Sequence, residues 1–353
     1  MSTRREWSRR AVLAAAPALL AGAARADGLA RTELVTTTDD GVRIHAREVA
    51  PPAPRGGPLI LIHGARAPGI ASFDLAVPGG SLAADLAQRL NRRIYLIDAR
   101  GYGASQRPTA MDQSPERSRP LSRAHEIVRD LDAVAKLASK RNGGARVGLL
   151  GWATGGLWAG WYAALRPEAV SSLATLNALY GGSDVHPMLG PGSAFAQPGQ
   201  PRRFDPATGG YALYPGTSLL DRWNANIPVA DKDAWRDPAV AKALADAALA
   251  SDPKAAALSP PRFRAPLGAL EDSFHQACGR RLFDAGSITA PVLLIRSGND
   301  FWSRPADVEA FAADAERSAK VTRVEIPDAT HFVHLDRPGR GRDRLLAELT
   351  SFF

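Results

Sequence analysis

Residues 147–156 read Val147-Gly148-Leu149-Leu150-Gly151-Trp152-Ala153-Thr154-Gly155-Gly156. A short apolar run ends at a glycine, and a helical stretch from about 155 to 165 follows at once. A run this short and this uniformly apolar suits a strand buried on both faces of a sheet. The same unit recurs along the chain. Leu59-Ile60-Leu61-Ile62 ends at His63-Gly64, Ile94-Tyr95-Leu96-Ile97 ends at Asp98, and 173–176, 292–295 and 321–326 have the same character. Helical patterns lie between them at 81–91, 122–140, 305–318 and 340–353. In 122–140, Ile127, Leu131, Val134 and Ala138 fall at helical spacing, with Ser122 as the expected N-cap. Two β-rich runs, 33–38 and 42–49, flank Asp39-Asp40-Gly41 and predict a hairpin. Strands alternating with helices imply an α/β fold: a mostly parallel eight-stranded sheet with helices on both faces.

The alternation breaks between about 182 and 287, a stretch rich in Pro and Gly that carries Trp223 and Trp235 and helical patches such as 237–250. A structureless loop of that length does not belong in a compact domain. It predicts an inserted cap, 183–287, over the C-terminal edge of the sheet, with the core built from 27–182 and 288–353. The chain has 353 residues, 45% apolar and 23% charged, which excludes a disordered or fibrous protein. Beyond the N-terminus no apolar run of about 18 residues occurs, which excludes a membrane-spanning chain. The single cysteine, Cys278, excludes an internal disulfide and a Cys-rich zinc cluster.

The net charge of +8 is unevenly placed. Arg4, Arg5, Arg9, Arg10 and Arg25 against Glu6 put +4 of it in the first 26 residues. No Lys/Arg run interleaved with aromatics remains, so no nucleic-acid partner is expected. Residues 1–26 read as an export signal. Ser8-Arg9-Arg10 precedes an uncharged Ala-rich stretch, and Ala24-Arg25-Ala26 forms a cleavage site. The paired arginines resemble a twin-arginine signal. The mature chain is expected to begin near Asp27, in the periplasm or secreted, with no membrane partner after cleavage.

Four pieces, in order, resemble the α/β-hydrolase superfamily. Leu61-Ile62-His63-Gly64-Ala65 is similar to its oxyanion loop. Asp98-Ala99-Arg100-Gly101-Tyr102-Gly103-Ala104-Ser105 resembles its D-x-R-G-x-G-x-S loop. Gly151-Trp152-Ala153-Thr154-Gly155 sits where the G-x-S-x-G nucleophile elbow belongs, and Asp300 and His331 follow two late strands, 31 residues apart. The resemblance implies a capped hydrolase with Asp300 as orienting acid, His331 as base, and the backbone N–H groups of Ala65 and Thr154 as the oxyanion hole. The elbow departs from the pattern. Its nucleophile position is Ala153, whose methyl cannot attack a carbonyl. Shifting the frame to make Thr154 the nucleophile would put Trp152 where the turn needs a small residue.

Arg66, next to the oxyanion loop, reads either as a contact to an anionic substrate or as a solvated side chain. Trp152 reads as a pocket wall or a core residue. His331 and His334 have i,i+3 spacing but no third ligand, so no metal or other cofactor is expected. Ser105 and Ser297 carry no mark of a nucleophile. Arg100 is expected to tie loops together, and Cys278 to be inert. Three functions follow, in order of preference. The first is an enzyme that acts on a small carbonyl-containing substrate through a His–Asp base and an oxyanion hole without a serine: water-activated hydrolysis, lyase chemistry or cofactor-free oxygenation. The second is an inactive small-molecule binder. The third is a serine esterase or amidase in which Ala153 stands in place of serine.

Overall fold

The computed structural model describes residues 27–353, so the expected export signal lies outside the described residues. Eight strands form one sheet in the spatial order Ala30–Thr37, Arg43–Ala50, Ile94–Ile97, Leu59–Ile62, Val147–Trp152, Val170–Leu176, Val292–Ser297, Val321–Ile326. The first two pair as the expected hairpin. Arg43–Ala50 meets Ile94–Ile97 antiparallel, and every later pairing is parallel.

Every residue of Leu59–Ile62, Ile94–Ile97 and Val147–Trp152 is buried. Alternation within each strand explains why. Ile60, Ile62, Tyr95, Ile97 and Leu149 pack on one face with Leu131, Val134 and Trp158. Leu59, Leu61, Ile94, Leu96 and Leu150 pack on the other with Leu82, Leu86, Leu345 and Leu349. Neighbouring residues thus belong to opposite layers, and both layers are apolar, so the sequence reads as a solid apolar run. Each such Leu or Ile contributes about 1.5–3 kcal/mol by leaving water.

The helix expected over 122–140 runs from Ala124 to Arg141, and Ser122 does not cap it. Ser122 takes a left-handed conformation with φ 60°. The first amides are satisfied from elsewhere: Ala124 N–H donates to Asp272 Oδ2 at 2.7 Å and Arg123 N–H to Glu126 Oε2 at 2.9 Å. The late helices are shorter than expected, Pro305–Asp314 and Arg342–Phe352. The segment 183–287 is folded, with helices Ser218–Asn226, Pro238–Ala250 and Gly268–Ala277 and two small two-stranded sheets. Asp237 caps the second of these helices by accepting from Ala239 N–H at 2.8 Å.

An ion network braces the end of strand Ile94–Ile97. The His45 ring lies between two carboxylates, with Nδ1 2.8 Å from Asp98 and Nε2 2.6 Å from Glu33. Burial alone would lower its pKa, but the two carboxylates outweigh it and push the value up to about 9 from 6.5. A raised histidine stabilises the fold fully below 6.5, and this contribution disappears as pH rises through 9. We expect stability to fall across that window by an amount on the order of 3 kcal/mol that His45→Gln abolishes. Denaturant titrations at several pH values measure it, and parallel pH slopes in the two proteins would refute it.

Candidate active site

Strand Val147–Trp152 and helix Thr154–Leu165 are joined by one residue, Ala153, at φ 53° and ψ −121°. Its neighbours force this turn. A Cβ on Gly151 would stand 2.3 Å from the Gly155 carbonyl oxygen, and one on Gly155 would stand 2.2 Å from the Ile62 carbonyl oxygen. Positive φ costs an L-residue about 1–2 kcal/mol. The apex is therefore Ala153, while Thr154 is already the first helical residue and its buried hydroxyl has no hydrogen-bond partner among the described residues.

The loop after Leu59–Ile62 touches this elbow: a Cβ on Gly64 would lie 3.3 Å from that of Ala153. His63 is fully buried and neutral, because burial lowers its pKa. Its Nδ1–H donates to the Gly64 carbonyl at 2.6 Å, and its Nε2 accepts from Ala99 N–H at 3.1 Å. Tyr102 O–H donates to the Ala65 carbonyl at 2.8 Å. Gly64 and Ala65 are thus held through their carbonyls. The N–H groups of Ala65 and Thr154 have no hydrogen-bond acceptor among the described residues, and both residues line the cavity. Asp98 fixes the second loop by accepting from Gly69 N–H at 2.9 Å and Ala104 N–H at 3.0 Å. Gly103 is required there, since a Cβ would fall 2.1 Å from Asp98 Oδ2. Arg100, expected to tie loops together, ties its own loop to Asp130 of helix Ala124–Arg141 and to Asp40 of the hairpin turn, at 2.7 and 2.8 Å.

His331 Nδ1 lies 2.6 Å from Asp300 Oδ1, whose side chain is wholly buried. Three further donors hold that carboxylate: Trp302 N–H at 3.1 Å, Ser303 N–H at 2.7 Å, and the Ser303 hydroxyl. The backbone of His331 is fixed as tightly. Its N–H donates to Asn226 Oδ1 at 2.7 Å, and its carbonyl accepts from Trp152 Nε1 at 3.0 Å and Asn177 Nδ2 at 3.1 Å. With Nδ1 on the carboxylate, Nε2 makes no hydrogen bond within the described residues and the ring borders the cavity. His334 is fully buried beside Trp152, at 4.5 Å between ring centroids. Burial, then electrostatic repulsion from the His331 ring and Arg342, push its pKa down to about 3, so it is a neutral packing residue. No group of three His, Cys, Asp or Glu among the described residues is arranged to hold a metal.

A cavity of about 300 Å³ brings Ala65, Arg66, Trp152, Ala153, Thr154 and His331 together. Its remaining walls come largely from the 183–287 segment, including Leu189, Phe195 and Tyr214. Arg66 turns inward, its guanidinium carbon 4.5 Å above the Tyr214 ring. Trp152 is both things the sequence allowed, a 4% exposed core residue and a cavity wall. Ser105 and Ser297 are buried and bonded to the Asp98 carbonyl and Asn177 respectively, away from the cavity. Cys278 is buried against Phe204 and Phe274. Asn226, Asn177 and Tyr214 went unrecognised in the sequence; nothing local marks them, since their partners lie far along the chain.

This arrangement of sheet, elbow and late acid and histidine defines an α/β hydrolase. The chain belongs to the α/β-hydrolase fold family, whose sequence profile matches residues 57–338. No curated protein matches this sequence. Among solved structures it is similar to an esterase from Exiguobacterium antarcticum, at 16% identity and TM-score 0.53 over 90% of this chain and 98% of that one. It is also similar to an esterase from Thermogutta terrifontis, at 16% identity and TM-score 0.53 over 90% and 97%. An E-2-(acetamidomethylene)succinate hydrolase matches at 15% identity and TM-score 0.54 over 91% and 98%.

Because glycine accepts positive φ freely, Ala153→Gly should stabilise the protein by about 1 kcal/mol, net of the added flexibility of its unfolded chain. Urea denaturation reads the change. A loss of stability instead would show that Ala153 is not strained.

Proposed function

We propose that this protein is an enzyme that acts on a small carbonyl-containing substrate without a covalent intermediate. The observation that supports this reading most is the Asp300–His331 pair at 2.6 Å, whose histidine borders the same cavity as the strained Ala153. Asp300 fixes the Nδ1–H tautomer and leaves Nε2 to accept a proton. In hydrolysis, His331 takes a proton from water and the resulting hydroxide adds to the carbonyl carbon. The carbonyl electron pair moves to oxygen, which faces the amides of Ala65 and Thr154. Collapse re-forms the carbonyl and expels the leaving group, which receives the proton from His331. The same base could instead remove a proton next to the carbonyl and give an enolate, the opening step of a lyase or cofactor-free oxygenase. Segment 183–287 acts as a cap that closes the cavity, and residues 1–26 direct export to the periplasm.

One observation favours a second reading. The elbow keeps the strained backbone that serves a nucleophile, which suits a serine esterase or amidase in which Ala153 replaces serine. Short p-nitrophenyl esters and a fluorophosphonate probe separate the two. On our reading the wild type turns over an ester without probe labelling, and His331→Ala lowers kcat by roughly 10²–10⁴-fold. Undiminished turnover in His331→Ala would sink it. An inert wild type, with labelling and turnover appearing together in Ala153→Ser, would establish the second.

A further inference from the structure

The interior arginines of this protein are neutralised: Arg31 by Asp27 and Asp74, Arg100 by Asp40 and Asp130, Arg264 by Asp252, and Arg304 by Asp307. Two arginines at the cavity have no such partner: Arg66, which is half-buried, and Arg222, which is exposed at its rim. Neither makes an ion pair among the described residues, and both line the catalytic cavity. Arg66 stacks on Tyr214, and Arg222 Nη1 meets the Met188 sulfur at 3.2 Å. No Asp or Glu lines the cavity. The nearby Asp300 carboxylate is buried behind His331 and spoken for by four donors.

From this geometry we infer that the cavity is an anion subsite and that the substrate carries a carboxylate a few bonds from its reacting carbonyl. The inference rests on the catalytic reading above for the word substrate, but not for the binding. The Arg66 guanidinium meets Tyr214 through the ring face, and its N–H groups make no hydrogen bond among the described residues, so they are available to a ligand. A planar fork with one free edge matches a planar carboxylate in a bidentate pair. Adjacency to Ala65 sets the distance: the charge sits within one arginine side chain of the oxyanion amides. Leu189, Phe195 and Leu267 leave the rest of the ligand an apolar wall.

The test is direct binding of 3-phenylpropionate and its neutral isostere 3-phenylpropionamide, read by the fluorescence of Trp152 and Trp302, which line the cavity. The wild type should bind the acid roughly 10–100-fold more tightly than the amide. Arg66→Gln should bring that ratio close to one, Arg222→Gln should reduce it less, and Arg66→Lys should restore it in part. His331→Ala should keep most of the preference. Equal or weaker binding of the acid by the wild type, or an unchanged ratio in Arg66→Gln, overturns the proposal. Carboxylate preference in a protein that turns over no ester leaves the anion subsite standing while the catalytic reading falls, so the two fail separately.

Discussion

One residue must turn the chain from strand Val147–Trp152 into helix Thr154–Leu165, and crowding leaves it one conformation. The helix packs so closely on the sheet that the Gly155 carbonyl nearly meets the Gly151 Cα and the Ile62 carbonyl nearly meets the Gly155 Cα. Neither glycine tolerates a Cβ, so the strain concentrates on Ala153. The rest of the site is indexed to this contact. Gly64 rests against Ala153, which sets the distance between the oxyanion loop and the elbow. Trp152, the last residue of the strand, donates its indole N–H to the His331 carbonyl and so sets the height of the histidine.

The histidine is held from three directions. Asp300 grips the ring, Trp152 and Asn177 grip its carbonyl, and Asn226 of the 183–287 segment grips its N–H. Asn177 itself sits at φ 54° and also accepts from Ser297 N–H at 2.7 Å, which joins strands Val170–Leu176 and Val292–Ser297 behind the site. Each of these anchoring groups is paired with another whose position is fixed independently. Such a network is rigid when complete and costly when one member is lost.

The parts of this architecture that depend on local apolar pattern were legible in the sequence. Leu59–Ile62 and Ile94–Ile97 could be read because both faces of those strands are buried, and Asp39-Asp40-Gly41 announced its hairpin. The pairing of Asp300 with His331 was what the resemblance to α/β hydrolases implied, and the two are in contact. What failed was whatever depends on distant partners. Ser122 looked like a helix cap, but Asp272, 148 residues from Ala124, does the capping. Asn226 lies 105 residues from the amide it anchors, and Tyr214 meets Arg66 only because the 183–287 segment folds back over the core. No periodicity carries such information. Arg66 could be read both ways because only tertiary structure supplies, or withholds, its carboxylate.

Loss of a hydroxyl at position 153 removes less than it first suggests. The backbone conformation is imposed by the glycines, so an alanine there leaves the Thr154 amide where a serine would. That amide opens a 12-residue helix, whose dipole adds partial positive charge at the same point. Ala65 N–H, Arg66 and Arg222 add more, and no lining carboxylate opposes them. The cavity therefore favours negative charge whether or not a nucleophile is present. A binding protein needs only that field. An oriented imidazole beside it, with its carboxylate buried and fully bonded, adds nothing to the binding of an anion. It has a purpose where a proton must leave one atom and reach another while charge gathers on oxygen, and on that ground the catalytic reading is preferred over simple binding.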